Sequence, residues 1–142
     1  MNRDEAKELA RSLLLPTGVL GDLVTRGPGW PPPDECKEYK RAVGHVMGEA
    51  YLLLNPIWQE HPDLNPASES NTDPLEFASY PHPAETTPKG MLPYLEEAHR
   101  VLPEIARRML ADPSIGKYKT FIEDSARDLD KAIIHAKQIF AR

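Results

Sequence analysis

The chain contains a single cysteine, Cys36. One thiol cannot form an intramolecular disulfide, which excludes the class of small disulfide-stapled domains and fits a reducing compartment. We therefore expect a cytoplasmic protein. Cys36 also lies on an apolar helical stripe described below, so we interpret its thiol as a small buried side chain rather than a nucleophile.

Long hydrophobic runs are also missing. The longest uninterrupted leucine runs are Leu13–Leu15 and Leu52–Leu54, which fall far short of the ~20 apolar residues needed to cross a bilayer. The first residues carry Asp4 and Glu5, unlike the basic start of a secretion signal. We expect neither a membrane span nor a secretory leader.

The chain has no excess of positive charge. It carries 17 lysines and arginines against 22 aspartates and glutamates, a formal net charge of -5, which argues against nucleic acid or an anionic membrane as the main partner. Gly18, Gly21, Gly27 and Gly29 follow no strand pattern and lack the ending of a phosphate-binding loop. A G-x-S-x-G motif is absent as well. The sequence therefore predicts no catalytic residue and no cofactor.

The chain is rich in apolar residues that recur at steps of three and four positions, the spacing of amphipathic helices. Two stripes stand out: Cys36, Tyr39, Val43, Val46, Ala50, Leu53 and Ile57, and Tyr118, Ile122, Ser125, Leu129, Ala132, Ala136 and Ile139. Helices with one apolar side must pack on further helices to be stable in water. We predict an all-α, single-domain helical bundle over residues 1–142 with three to four main helices.

The predicted helices comprise residues 3–15, about 34 to at least 54, 90–111, and about 113 to the last residue. Pro16 is expected to end the first helix, because proline removes a backbone donor and crowds the preceding turn. Asn55-Pro56 predicts a kink or a restart of the second helix. Asp112 is expected to cap the fourth helix.

Fifteen prolines, about twice the average usage of ~5%, concentrate in two connections. Residues 16–33 form a Gly/Pro-rich connection, and residues 61–90 form an acidic, Pro-rich loop. A connection of about thirty residues is much longer than the usual ~4–6 and is often functional. It has the length to span the bundle, so the second and third helices can run parallel, and the topology stays open.

Two pairs of side chains are candidate metal ligands. Glu96 and His99 form an E-x-x-H pair, and His45 and Glu49 lie four residues apart, so each pair shares one face of its helix. Di-iron bundles use the E-x-x-H motif twice, with two further glutamates, whereas it occurs once here. We interpret both pairs as surface pairs; a metal site built by all four residues from adjacent helices is the alternative.

The second helix has two further features. Gly44 and Gly48 each destabilise a helix by ~1 kcal/mol relative to alanine, which predicts close packing against a neighbouring helix, with a ligand site as the alternative. Apolar residues also lie outside its stripe, at Tyr51, Leu52, Leu54 and Trp58. This helix is therefore either central or part of a homodimer interface.

For function, we expect a small protein-interaction module of the inhibitor, immunity or adaptor type that engages a more basic partner through its acidic surface and loop. The alternative is a metal- or small-ligand-binding bundle, possibly enzymatic. Aromatic residues on irregular backbone are common at partner surfaces, although they also close the ends of bundles. The predicted contact residues are Trp30, Asp63, Asp73, Glu76, Tyr80 and His82.

Overall fold

Four α-helices make up most of the structure, a computed structural model that describes residues 1–23, 33–69 and 87–142. The helices are α1 (Arg3–Leu23), α2 (Pro33–Glu60), α3 (Leu92–Leu110) and α4 (Lys119–Phe140). Short 3₁₀ helices lie at Pro62–Leu64, Lys89–Met91 and Pro113–Tyr118, and these three described stretches contain no strand. The predicted all-α fold is confirmed.

Helix α1 is longer than predicted. It contains Pro16 and continues to Leu23, so the expected helix end at residue 15 is wrong, as is the start of the first connection at residue 16. The remainder of that connection, residues 24–32, lies outside the described residues.

Local hydrogen bonds and packing explain why α1 continues past its proline. The Thr17 hydroxyl donates to the carbonyl oxygens of Leu13 at 2.8 Å and of Leu14 at 3.1 Å. One turn further on, Leu20 is buried in the core. The added turn therefore buries apolar surface, which offsets the cost of a proline inside the helix.

Helix α2 passes through Asn55-Pro56 and ends at Glu60, so of the two predicted alternatives, a kink or a restart, the restart does not occur. Pro56 itself is buried, and Leu54 and Ile57 on either side of it are each only 1% exposed. Core packing on both sides of the proline holds the helix together where the local sequence favours a break.

The Asp112 carboxylate caps the 3₁₀ helix Pro113–Tyr118 instead of α4, so the predicted cap of the fourth helix is wrong, because α4 begins only at Lys119. The carboxylate accepts hydrogen bonds from the Ser114 backbone N–H at 2.9 Å and the Ser114 hydroxyl at 2.7 Å. These bonds hold the pKa of Asp112 below its ordinary value. The cap begins the 3₁₀ helix Pro113–Tyr118, and α4 follows at Lys119.

The order of the helices around the bundle follows from their contacts. Helix α2 packs on α1 and α4, and α3 packs on the same two helices, so α2 and α3 occupy opposite corners. Ion pairs join the start of one helix to the end of its neighbour in each case: Arg3–Asp63, Glu8–Arg108, Glu60–Lys117 and Glu96–Lys137. Neighbouring helices are therefore antiparallel, and α2 runs parallel to α3.

One continuous core joins the four helices and contains most residues of both predicted stripes. The stripe residues of α2 and α4 that belong to this core are Val43, Val46, Ala50, Leu53, Ile57, Ile122, Leu129, Ala132, Ala136 and Ile139. At one end of this interface the Tyr39 ring packs edge-on against Phe140, with ring centroids 4.9 Å apart. Cys36 is buried, as expected.

The rotation of α2 about its axis is tested by two neighbouring leucines. Leu53 is 0% exposed and Leu52 is 46% exposed. We expect Leu53→Ala to lower the free energy of unfolding by about 2–5 kcal/mol, because it opens a core cavity, whereas Leu52→Ala changes it by less than about 0.5 kcal/mol. Urea unfolding at low protein concentration measures both, and equal losses would contradict this orientation.

Candidate functional site

The side of α2 that points away from α1 and α4 carries a cluster of small, aromatic and apolar residues. The members of this cluster, together with one asparagine, are all exposed: Gly44, Gly48, Tyr51, Leu52 and Asn55. At ~100° per residue they fall within about 100° of arc on the helix surface. We call these five residues the α2 face.

Tyr51 and Leu52 form the apolar part of the α2 face. They are 45% and 46% exposed, more than any other large apolar side chain in the described residues. The Tyr51 ring lies 6.0 Å from the ring of Trp58, whose indole Nε1 is buried and has no hydrogen-bond partner in the described structure. Exposed apolar side chains next to an aromatic ring are typical of a surface that contacts a partner.

The glycines of the α2 face do not serve close packing within the bundle. A Cβ atom added to Gly44 or Gly48 would meet no atom within 4 Å among the described residues, so the predicted close approach to a neighbouring helix is wrong. The close approach occurs at Gly21 of α1, where a Cβ would lie 2.8 Å from the Sδ atom of Met47. Gly44 and Gly48 therefore destabilise α2 without a packing contact in the described fold that requires a glycine at either position.

Positive charge precedes the α2 face along the helix. Lys40 and Arg41 are exposed about one turn before Gly44, and neither forms an ion pair with a described residue. The nearby carboxylate of Glu38 lies 2.9 Å from Arg142 of α4. The solvent side of α2 thus changes along its length from basic, through two glycines, to aromatic and apolar.

His45 and Glu49 pair along α2 beside this face. Their Nε2 and Oε1 atoms are 3.4 Å apart, with side chains 57% and 15% exposed. The second carboxylate oxygen of Glu49, Oε2, is buried and accepts no hydrogen bond in the described structure. His45 and Glu49 therefore pair with each other, but the Glu49 carboxylate is largely buried and not solvated as expected.

His99 connects α3 to α4 instead of pairing with Glu96. Its Nε2 lies 2.7 Å from Asp130 Oδ1, and its Nδ1 lies 3.4 Å from Lys137 Nζ. These distances fit the tautomer in which Nε2–H donates to Asp130 and Nδ1 accepts from Lys137. Lys137 Nζ also lies 3.9 Å from Glu96 Oε1, so the group forms a mixed-charge cluster across two helices.

The two candidate ligand pairs lie on helices at opposite corners of the bundle. The alternative hypothesis needs these two helices side by side, so its four-residue metal site is not assembled among the described residues. Within residues 1–23, 33–69 and 87–142, no three His, Cys, Asp or Glu side chains are grouped so as to hold a metal ion.

Of the predicted partner-contact residues, the structure describes Asp63. Its Oδ2 lies 2.7 Å from an Arg3 guanidinium nitrogen, and the hydrogen bond from Arg3 holds the pKa of Asp63 below its ordinary value. Asp63 thus fastens the start of the long connection to α1. The other predicted contacts, Trp30, Asp73, Glu76, Tyr80 and His82, lie outside the described residues.

The sequence marks the residues of the α2 face one by one, but our sequence-based predictions do not group them on one surface. In the sequence, Tyr51 and Leu52 are apolar residues outside the stripe, and Gly44 and Gly48 are unfavourable in a helix. The signal that joins them is their common spacing, since steps of four, seven and eight residues from Gly44 return to the same side of a helix.

Comparison with protein-family models, with curated proteins and with solved structures gave no match. Among the described residues, no helix has both the length and the apolar character needed to cross a membrane.

The ion pair of Asp63 with Arg3 predicts a pH-dependent contribution to stability. The pKa of Asp63 is lowered from 3.8 in the folded chain, so ionised Asp63 favours folding above this pH, and the contribution disappears as the pH falls below it. We expect Asp63→Asn to lower the melting temperature slightly at pH 7 and not at about pH 2. Glu69→Gln, an exposed site on the same connection, is the control, and a pH-independent difference for Asp63→Asn would contradict the assignment.

Proposed function

We propose that this protein is a small protein-interaction module that engages its partner through the α2 face. The observation that carries the proposal is the exposure of Tyr51 and Leu52 side by side, on a helix whose opposite side is fully used in the core. Interface hot spots are rich in tyrosine, tryptophan and arginine. Trp58 and Arg41 lie at the two ends of the same surface.

The acidic connection is the second part of the proposal. Residues 61–90 contain Asp63, Glu69, Asp73, Glu76 and Glu85 against Lys89 as the one basic residue. Acidic charge accelerates encounter with a basic partner and disfavours acidic competitors. Because Asp63 is neutralised by Arg3, we assign this role to the acidic residues that follow it.

The class of module proposed is an inhibitor, immunity or adaptor protein, acting in the cytoplasm. The location rests on the cysteine content, since the chain has one cysteine and its thiol is buried. A protein that neither needs nor forms a disulfide suits a reducing compartment.

Partner capture from the native host tests the proposal. We expect Leu52→Glu to remove the partner from an affinity pull-down analysed by mass spectrometry, because a carboxylate in an apolar contact loses its hydration. Ile134→Glu is the matched control, since Ile134 is 41% exposed on α4 and lies off the α2 face. Circular dichroism and thermal melting confirm that both variants fold.

An unchanged partner list for Leu52→Glu would contradict the role of the α2 face. The contribution of the acidic connection is measured separately, with Asp73→Lys and Glu76→Lys combined and Asp63 kept. If charge steers the encounter, this variant associates more slowly than the wild type at low salt and the difference disappears at high salt; a difference that does not change with salt would contradict steering.

A further inference from the structure

We infer that the partner on the α2 face is a second copy of this chain, bound with the two α2 helices antiparallel and with Gly44 opposite Gly48 of the partner subunit. This inference rests on the proposed function, because it takes the α2 face to be an interaction surface. It adds the identity of the partner, the direction of the partner's α2 helix and the register of the two helices.

The glycines supply the first argument. Gly44 and Gly48 lie near the middle of the exposed face, with open space where their Cβ atoms would be. Packed helices are usually 8–10 Å apart, and the side chains at the contact set this distance. Two glycines on each helix allow the backbones to approach closely, so a loss of helix stability in the monomer becomes useful in a dimer.

Charge supplies the direction. In a parallel pair, Lys40 and Arg41 would lie beside their own copies, and like charges in contact repel. In an antiparallel pair related by a twofold axis, the basic end of each α2 helix meets the aromatic end of the other. Dimers with this symmetry use the same patch on both subunits, so the patch must be complementary to itself.

The spacing of the residues supplies the register. Lys40 and Tyr51 lie on one edge of the solvent side of α2, and Arg41 and Leu52 lie on the other edge. With Gly44 opposite Gly48 of the partner subunit, both edge pairs are brought together, because the midpoints of all three pairs lie within about half a residue of Val46. Lys40 then places its ammonium against the partner's Tyr51 ring, and the Arg41 stem covers the partner's Leu52.

Sedimentation of the full chain against concentration tests for the dimer. We expect a 16.0 kDa monomer in equilibrium with a species of twice that mass. At a protein concentration where the wild type is monomeric, Gly48→Gln is expected to raise the melting temperature, because glutamine is the better helix former and nothing lies within 4 Å of the added Cβ. The same variant is expected to weaken dimerisation by about tenfold or more.

A higher melting temperature together with weaker dimerisation distinguishes a role of Gly48 in the interface from a role in the fold of the monomer. Gly116→Gln is the matched control, because Gly116 is an exposed glycine with nothing within 4 Å of an added Cβ and lies off the α2 face. It should leave dimerisation unchanged. A dimer that persists unchanged in Gly48→Gln would overturn the inference.

Disulfide trapping tests the direction. In a Cys36→Ala background, chains carrying Gly44→Cys are mixed with chains carrying Gly48→Cys and oxidised with glutathione disulfide. The antiparallel register predicts that the mixed disulfide exceeds either same-site disulfide, since only the mixed pair brings the Cα atoms within disulfide reach. Predominance of the same-site products would overturn the antiparallel arrangement.

The inference and the proposed function fail in different ways. If the wild-type chain remains monomeric at about 100 µM while Leu52→Glu loses a captured protein, the inference is wrong and the proposed function stands with a different partner. If the chain is monomeric and Leu52→Glu captures the same proteins as the wild type, both are wrong.

Discussion

The packing of α2 between α1 and α4 is the constraint on which the remaining features of the structure depend. At 28 residues α2 is the longest helix, and its apolar stripe reaches the core along most of its length. Because this stripe packs on α1 and α4, α3 lies at the corner opposite α2, where it contacts the same two helices. The same packing places His45 and Glu49 far from Glu96 and His99, and it turns the α2 face toward solvent.

The direction of α3 has a consequence for the long connection. Because α2 and α3 are parallel, the chain between them joins opposite ends of the bundle. Its described first residues are held at one end: Leu64 is buried, and Asp63 pairs with Arg3. The ion pair is largely exposed, so its own contribution is small, and burial of Leu64 supplies most of the attachment.

The sequence predicted the all-α fold and the core of α2 and α4, because a residue's position on a helical stripe directly reports which side is buried. It failed at Pro16, where a local cost had to be weighed against the burial of Leu20, a packing term that periodicity does not measure. The partner of His99 was missed for a related reason, since Asp130 is 31 residues away in the chain and belongs to another helix. Contacts of this kind follow from topology, which the sequence left open.

The glycines show both the use and the limit of local reasoning. A glycine inside a helix signals that something other than helix stability is favoured there, but its neighbour is invisible in the sequence. At Gly21 the structure supplies that neighbour, Met47. At Gly44 and Gly48 it supplies none, although the same turns of α2 expose Tyr51 and Leu52. Natural sequences agree with their fold at most positions and depart from it where function requires. Our proposal that a partner binds the α2 face accounts for both departures together, since a solvated surface gains nothing from either.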